Sequence, residues 1–237
     1  MNYYDLHVHS AFSEGTSSLE ELAETAKKLN YSGFCFVEYF ENNDQIKKRY
    51  AEIQKVSEKI GTEILLGFEA RNPHELEVLV QKRKKFDVLL AQGGDLKMNR
   101  LAVETPEVDI LTHPSFERQD SGMNHILMRF AKENNVAIEI NFREILVNER
   151  KSRSKVLTNM IANVNLAKKI HAPLIICSGA LSHWEFRDPL ELSSFLIQLG
   201  LKINEAKDCV TKIPEKIILQ NKERRSQKWI APGVKIK

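Results

Sequence analysis

The chain has too few cysteines for a disulfide framework. Its three, Cys35, Cys177 and Cys209, are odd in number and far apart. Two sit inside apolar runs, so they read as buried, reduced thiols of a cytoplasmic protein. No stretch approaches about 18 uninterrupted apolar residues, which argues against a membrane-spanning helix. The N-terminus, Met1-Asn2-Tyr3-Tyr4-Asp5, lacks a basic segment followed by an apolar one and does not read as a signal peptide. Glycine is sparse, ten in 237 residues, and forms no nucleotide-binding fingerprint after the first strand. Internal repeats and low-complexity linkers are missing. Charge of one sign is missing too: 35 Lys and Arg face 32 Asp and Glu, a net of +3, so whole-chain charge marks no polyanion partner.

What is present is a core and a rhythm. Hydrophobic residues make up 42%, enough to fill an interior. Short apolar runs at 3–8, 33–37, 63–68, 86–91, 108–111, 136–140 and 173–177 predict strands. Amphipathic stretches at 19–29, 43–60, 73–85, 96–104, 123–133, 152–170 and 189–199 predict helices, with further helical segments at 204–210 and 213–219. Strict alternation means a parallel sheet with helical crossovers. The strands are apolar on both faces. The expected fold is a TIM-like (β/α) barrel of about seven parallel strands plus a weak closing element, with an open doubly wound sheet as the alternative. Residues 1–221 form the expected domain and 222–237 a basic tail. Six cations and one anion lie in that tail, which leaves −2 on the rest. A basic arm of this kind suits nucleic acid, and a frayed solvated tail is the alternative.

Function in barrels gathers where strands end. Here those ends are polar: Asp5, His7 and His9 on one face of the first strand, then Glu38, Glu69, Gln92, His113, Glu139 with Asn141, and Ser178. His7, His9, Glu69 and His113 are ligand types for Zn²⁺ or Mn²⁺. Hydrogen bonding inside the barrel mouth, or phosphate contact, is the other reading.

Asp5-Leu6-His7-Val8-His9-Ser10, Gly67-Phe68-Glu69 and Thr112-His113-Pro114 resemble strand-end motifs of the polymerase-and-histidinol-phosphatase metallophosphoesterases. The chain departs from them at Val37-Glu38-Tyr39-Phe40, and at Ser178-Gly179-Ala180-Leu181, where Gly179 and Leu181 replace a carboxylate and an imidazole. A multinuclear centre is therefore not expected. The chain more closely resembles the archaeal ribonuclease P protein component 3 family, a relative of a eukaryotic ribonuclease P and MRP subunit. Residues 93–104, 108–114 and 136–143, then Ser178-Gly179-Ala180 with 184–189, carry that likeness, which spans about residues 3 to 220. The resemblance implies a barrel subunit of a ribonucleoprotein that removes the 5′ leader from precursor tRNA. It implies that the RNA supplies the active site with Mg²⁺, that a small partner subunit pairs with the chain, and that the chain binds no cofactor of its own. A stand-alone metal-dependent phosphoesterase is the alternative.

RNA binding needs cations held where phosphates lie. The candidates are Arg71; Lys97 and Arg100; Arg143, Arg150, Lys151, Arg153 and Lys155 around an expected loop; and Arg224 and Arg225 in the tail. Asp95 is placed to cap a helix or orient Arg100. Together with His113 and Arg187 it is a rim residue of structural or phosphate-contacting type. Lys82 to Lys85 end a helix, where cations suit the dipole, and are left out. Tyr39, Phe40, Phe142 and Trp184 could stack on bases, meet a partner or cap the barrel.

Overall fold

The computed structural model describes residues 1–226 in full and, beyond them, the backbone of 229–231 and 234–235. Seven strands form one parallel sheet in chain order: β1 Tyr4–Val8, β2 Gly33–Glu38, β3 Glu63–Ala70, β4 Val88–Gln92, β5 Ile110–Thr112, β6 Ala137–Asn141 and β7 Leu174–Cys177. Nearly every strand residue is buried, as strands covered on both faces require. The sheet curls until its edges meet: Gly179 N donates to His7 O (3.1 Å) and His9 N to Ala180 O (2.8 Å). The barrel is thus nearly closed with seven strands.

Helices α1 Leu19–Lys28, α2 Asn43–Ile60, α3 Pro73–Gln81, α4 Leu96–Glu104, α5 His125–Asn134, α6 Arg143–Val147, α7 Arg150–Ile170, α8 Pro189–Gln198 and α9 Ile203–Asp208 follow in order, and α10 spans Lys212–Arg225. Their starts are written locally. Ser18 caps α1 and forms a capping box with Glu21, Asn42 caps α2, Asn72 precedes Pro73 in α3, and Asp188 precedes Pro189 in α8. A second layer of core lies between the sheet and these helices.

Among the described residues no eighth strand joins the sheet. α10 plugs the barrel where the strands begin, setting Ile217 and Ile218 against the inward-facing Tyr4, Leu6, Val88 and Ile110. Three expectations are corrected. The boundary drawn at 221/222 falls inside that helix, so Lys222, Arg224 and Arg225 are not part of a free tail. Their charges meet carboxylates beside the strand starts: Lys222 Nζ lies 2.6 Å from Glu63, Arg224 3.7 Å from Asp109, and Arg225 bonds Asp87. Lys228 and Lys237 lie outside the described residues. The 143–155 segment is not a loop, since α6 and the start of α7 occupy it. The cationic end of the third helix is also more than a solvated turn. Residues Arg83–Lys85 form a 3-10 turn, and the buried Arg83 guanidinium holds Asp109 and the carbonyls of Phe86, Asp87 and Glu107.

Candidate functional site

The C-terminal ends of the strands converge on a small ionic cluster. His7 of β1 and His9, one residue past its end, are both almost fully buried. Their Nε2 atoms lie 3.1 Å apart. His7 Nδ1 is 2.7 Å from Glu139 Oε1, supplied by β6. Glu69, at the end of β3, accepts from Thr112 Oγ1 at 2.5 Å. His113 follows β5 in a left-handed backbone conformation (φ 47°), with Nδ1 2.6 Å from Glu144 of α6. Such a backbone is strained for a side chain of this size, and its neighbours must hold it there.

Charge is balanced inside the cluster. Burial pulls the His7 pKa down, but the Glu139 carboxylate and its hydrogen bond, with Glu69 behind, leave it raised. Burial likewise opposes the charged form of His113. The bond to Glu144 and the charges of Glu139, Glu144 and Glu69 prevail and push it up to about 9. Glu139 is held down to about 2: burial acts against this, while the charge and bond of His7 and the charge of His113 carry it. His9 falls to about 3 through burial and the charges on His7 and His113. One oxygen, Glu139 Oε2, is buried and has no hydrogen-bond partner.

A cavity of about 610 Å³ opens above the cluster. His9, His113, Arg118, Arg143, Glu144 and Lys155 are among its walls. Arg143 reaches Glu185 at 3.1 Å, and Lys155 bonds Gln119. The wall is therefore mixed in sign, and its three cations are already engaged, Arg118 with Asp120.

The structure gathers His7, His9, Glu69 and His113, and brings Arg143 and Lys155 to the cavity above them. It scatters the other candidates. Arg150 and Lys151 are exposed at the start of α7, and Arg153 Nε donates to Asn148 O at 2.7 Å. Arg71 pairs with Glu75 (3.1 Å) and lies over the Tyr39 ring, 4.1 Å from its centroid. Lys97 and Arg100 are exposed on α4, where Arg100 reaches Glu104 at 2.8 Å. Asp95 caps α4 by accepting from Met98 N at 3.0 Å, and does not orient Arg100. Arg187 Nη1 donates to the carbonyls of Trp184 (3.1 Å) and Phe186 (2.8 Å). Arg224 and Arg225 sit at the opposite end of the barrel. Of the aromatic candidates, Phe40 packs on Phe68 and Phe142 on Phe195, while Trp184 is 80% exposed.

Two features of the mouth escape a reading of the sequence. Arg118 bonds Asp120 and Gly94 O from a stretch with no periodic pattern to mark it. Asn141 Oδ1 accepts from Arg143 N (3.0 Å), and its amide fills the space beside Gly179. That contact joins residues far apart in the chain.

The family model described as RNase P subunit p30 matches residues 2–226. Ribonuclease P protein component 3 of Methanosarcina mazei is 35% identical over 237 residues, 99% of this chain and 95% of that protein. The component 3 protein of Methanocaldococcus jannaschii is 35% identical over 180 residues, 75% of this chain and 77% of that protein. Among solved structures, a chain from the cryo-EM structure of archaeal ribonuclease P with mature tRNA superimposes with a TM-score of 0.82 at 30% identity. That match covers 98% of this chain and 97% of the other. A metal-dependent tyrosine phosphatase, from the crystal structures of YwqE of Bacillus subtilis and CpsB of Streptococcus pneumoniae, superimposes with a TM-score of 0.50 at 16% identity, covering 99% of both chains. That likeness is one of fold.

Proposed function

The chain belongs to the RNase P subunit p30 family, and from that premise we propose that it is a protein subunit of ribonuclease P, the ribonucleoprotein that removes the 5′ leader from precursor tRNA. The observation that carries this reading is the near-complete superposition, at 30% identity, on a chain of the archaeal ribonuclease P bound to mature tRNA. The partners are the ribonuclease P RNA, the sister protein subunits including a small one that pairs with this chain, and precursor tRNA as substrate of the complex. The RNA supplies the chemistry with Mg²⁺, and the chain supports it. We place the chain in the cytoplasm, a compartment that suits its free, buried thiols.

The chain's own residues support a non-catalytic role. A multinuclear phosphoesterase centre needs a donor at the mouth after β7. Gly179 stands there with φ 63°, and a Cβ would lie 2.3 Å from Asn141 Oδ1. No side chain larger than hydrogen fits without displacing Asn141, which is itself bonded to Arg143 N and Glu139. Exposed cations at the start of α7, with Lys97 and Arg71 elsewhere on the rim, are the groups we assign to RNA phosphates. Arg224 and Arg225 are not among them, because they hold α10 in place.

The test is affinity purification of the tagged chain from its native host, followed by sequencing of the bound RNA. Recovery of one structured RNA that cleaves precursor tRNA in Mg²⁺, with several small proteins, is the expected result. Recovery of the chain free of RNA would contradict the reading.

A further inference from the structure

The side chains at the centre of the mouth present more lone pairs than their neighbours have protons for. His9 Nδ1 lies 3.2 Å from Ser13 Oγ. The Ser13 hydroxyl donates to Val37 O at 3.0 Å, so its oxygen accepts from His9. The single proton of a neutral His9 is therefore on Nδ1. His7 Nδ1 points at a carboxylate oxygen of Glu139, which only accepts. In their neutral forms both rings thus turn a bare Nε2 inward; those two nitrogens are 3.1 Å apart, and Glu14 Oε1 lies 3.3 Å from that of His9. Two lone pairs so placed repel unless a proton or a metal ion lies between them. His113 repeats the pattern: Glu144 holds its Nδ1 and leaves Nε2 free. Glu139 Oε2, buried without a partner, adds one more unmatched lone pair to the same cluster. Ligand atoms of His7, His9 and Glu69 lie within 4.8 Å of one another, as do those of His7, His113 and Glu139.

We propose that the barrel mouth binds one first-row divalent cation, Zn²⁺ or Mn²⁺, at the Nε2 atoms of His7 and His9 and the carboxylate of Glu69, with His113 beside them and Glu139 orienting His7 through its Nδ1. The spacing fits. Bonds of about 2.05 Å to two nitrogens 3.1 Å apart subtend an angle of about 98°, near tetrahedral or octahedral values. The donors fit too: imidazole and carboxylate without thiolate suit Zn²⁺ or Mn²⁺, whereas Mg²⁺ prefers an all-oxygen set and keeps its waters. The pairs Glu139–His7 and Glu144–His113 are the carboxylate–imidazole contacts that fix ring orientation around a bound ion. The ion would tie β1, β3, β5 and β6 together at the end of the barrel that α10 does not plug. Its role is structural, and it stands apart from the Mg²⁺ assigned to the RNA.

The experiment uses the tag-free, full-length chain, stripped with EDTA and exchanged into chelator-free buffer. Isothermal titration with ZnCl₂, MnCl₂ and MgCl₂ should give one equivalent of Zn²⁺ or Mn²⁺ per chain and no comparable Mg²⁺ binding. CoCl₂ should give visible absorption bands of nitrogen-and-oxygen coordination. His9→Gln and Glu69→Gln should abolish the binding while circular dichroism stays native. Glu139→Gln should weaken it by about 10- to 100-fold. A wild-type chain that takes up no equivalent of either ion would overturn the proposal. So would a folded His9→Gln/Glu69→Gln double variant with wild-type affinity. Should the variants fail to fold, the wild-type Co²⁺ spectrum decides, and absence of the bands counts against the site.

Discussion

The amide of Asn141 occupies the space that a side chain on Gly179 would need: a Cβ there would lie 2.3 Å from Oδ1 and 2.5 Å from Nδ2. Asn141 cannot easily swing aside, because Oδ1 accepts from Arg143 N and Nδ2 donates to Glu139. The backbone of Gly179 is also in the left-handed region, at φ 63°. Restoring a carboxylate with Gly179→Asp should therefore destabilise the fold by about 2–4 kcal/mol, from overpacking and backbone strain together. It should create no phosphoesterase. Urea unfolding measures the first effect and turnover of a phosphate ester the second; a stable, active variant would contradict the account of the mouth.

At the other end of the barrel, Arg83 is 3% exposed and carries the Asp109 carboxylate. Asp109 also accepts from Leu89 N at 2.8 Å and faces Arg224 at 3.7 Å. Removing one partner of a buried pair leaves the other charge stranded. Arg83→Met should cost about 3–5 kcal/mol in chemical unfolding. A loss below about 1 kcal/mol, typical of an exposed pair, would show that water reaches Asp109 and that α10 is a looser plug than described.

Tyr4 closes the same end by donating to Glu63 at 3.2 Å. Burial, followed by the charge of Glu63, pushes its pKa up to about 12. The folded value lies above the unfolded one, so the neutral phenol stabilises the fold fully below pH 10, and that contribution is lost as pH rises from about 10 through 12. Wild type should lose stability more steeply across that window than Tyr4→Phe, measured by urea unfolding at a series of alkaline pH values. Parallel curves would show that Tyr4 titrates normally.

Much of this was legible in the sequence. All seven strands and most helices announce themselves through apolar runs and periodicity. His7, His9, Glu69 and His113 could be grouped because strand ends in a barrel share one face. The misreadings have physical causes. The five residues of α6 are too few to show a helical period. The cations of α10 resemble a tail because their partners, Glu63, Asp87 and Asp109, are more than a hundred residues away and meet them only at the strand starts. Arg83 passes for a dipole-matching cation because its carboxylate partner, Asp109, lies 26 residues on and reaches it only when β5 pairs with β4. The packing of Asn141 on Gly179 and the orphaned oxygen of Glu139 arise from barrel closure, which no local pattern records.

The exposed start of α7 gives a direct test of phosphate binding. Arg150, Lys151 and Arg153 present three cations there, and Arg153 is held by its hydrogen bond to Asn148 O. Changing all three to Ala should weaken binding to ribonuclease P RNA. It should also lower the slope of log affinity against log salt by up to about 3, roughly one for each phosphate left unneutralised. Equal slopes for variant and wild type would remove this surface from the RNA interface.

Cleavage of precursor tRNA by reconstituted components tests the central claim most directly. The purified chain is assayed with Mg²⁺ and with Mn²⁺, first alone and then with the ribonuclease P RNA and the sister subunits. The account predicts no 5′ leader release by the chain alone, and release at the mature 5′ end once RNA is present, faster with the chain than without it. Leader release by the protein without RNA, or an RNA-driven rate indifferent to the chain, would contradict it.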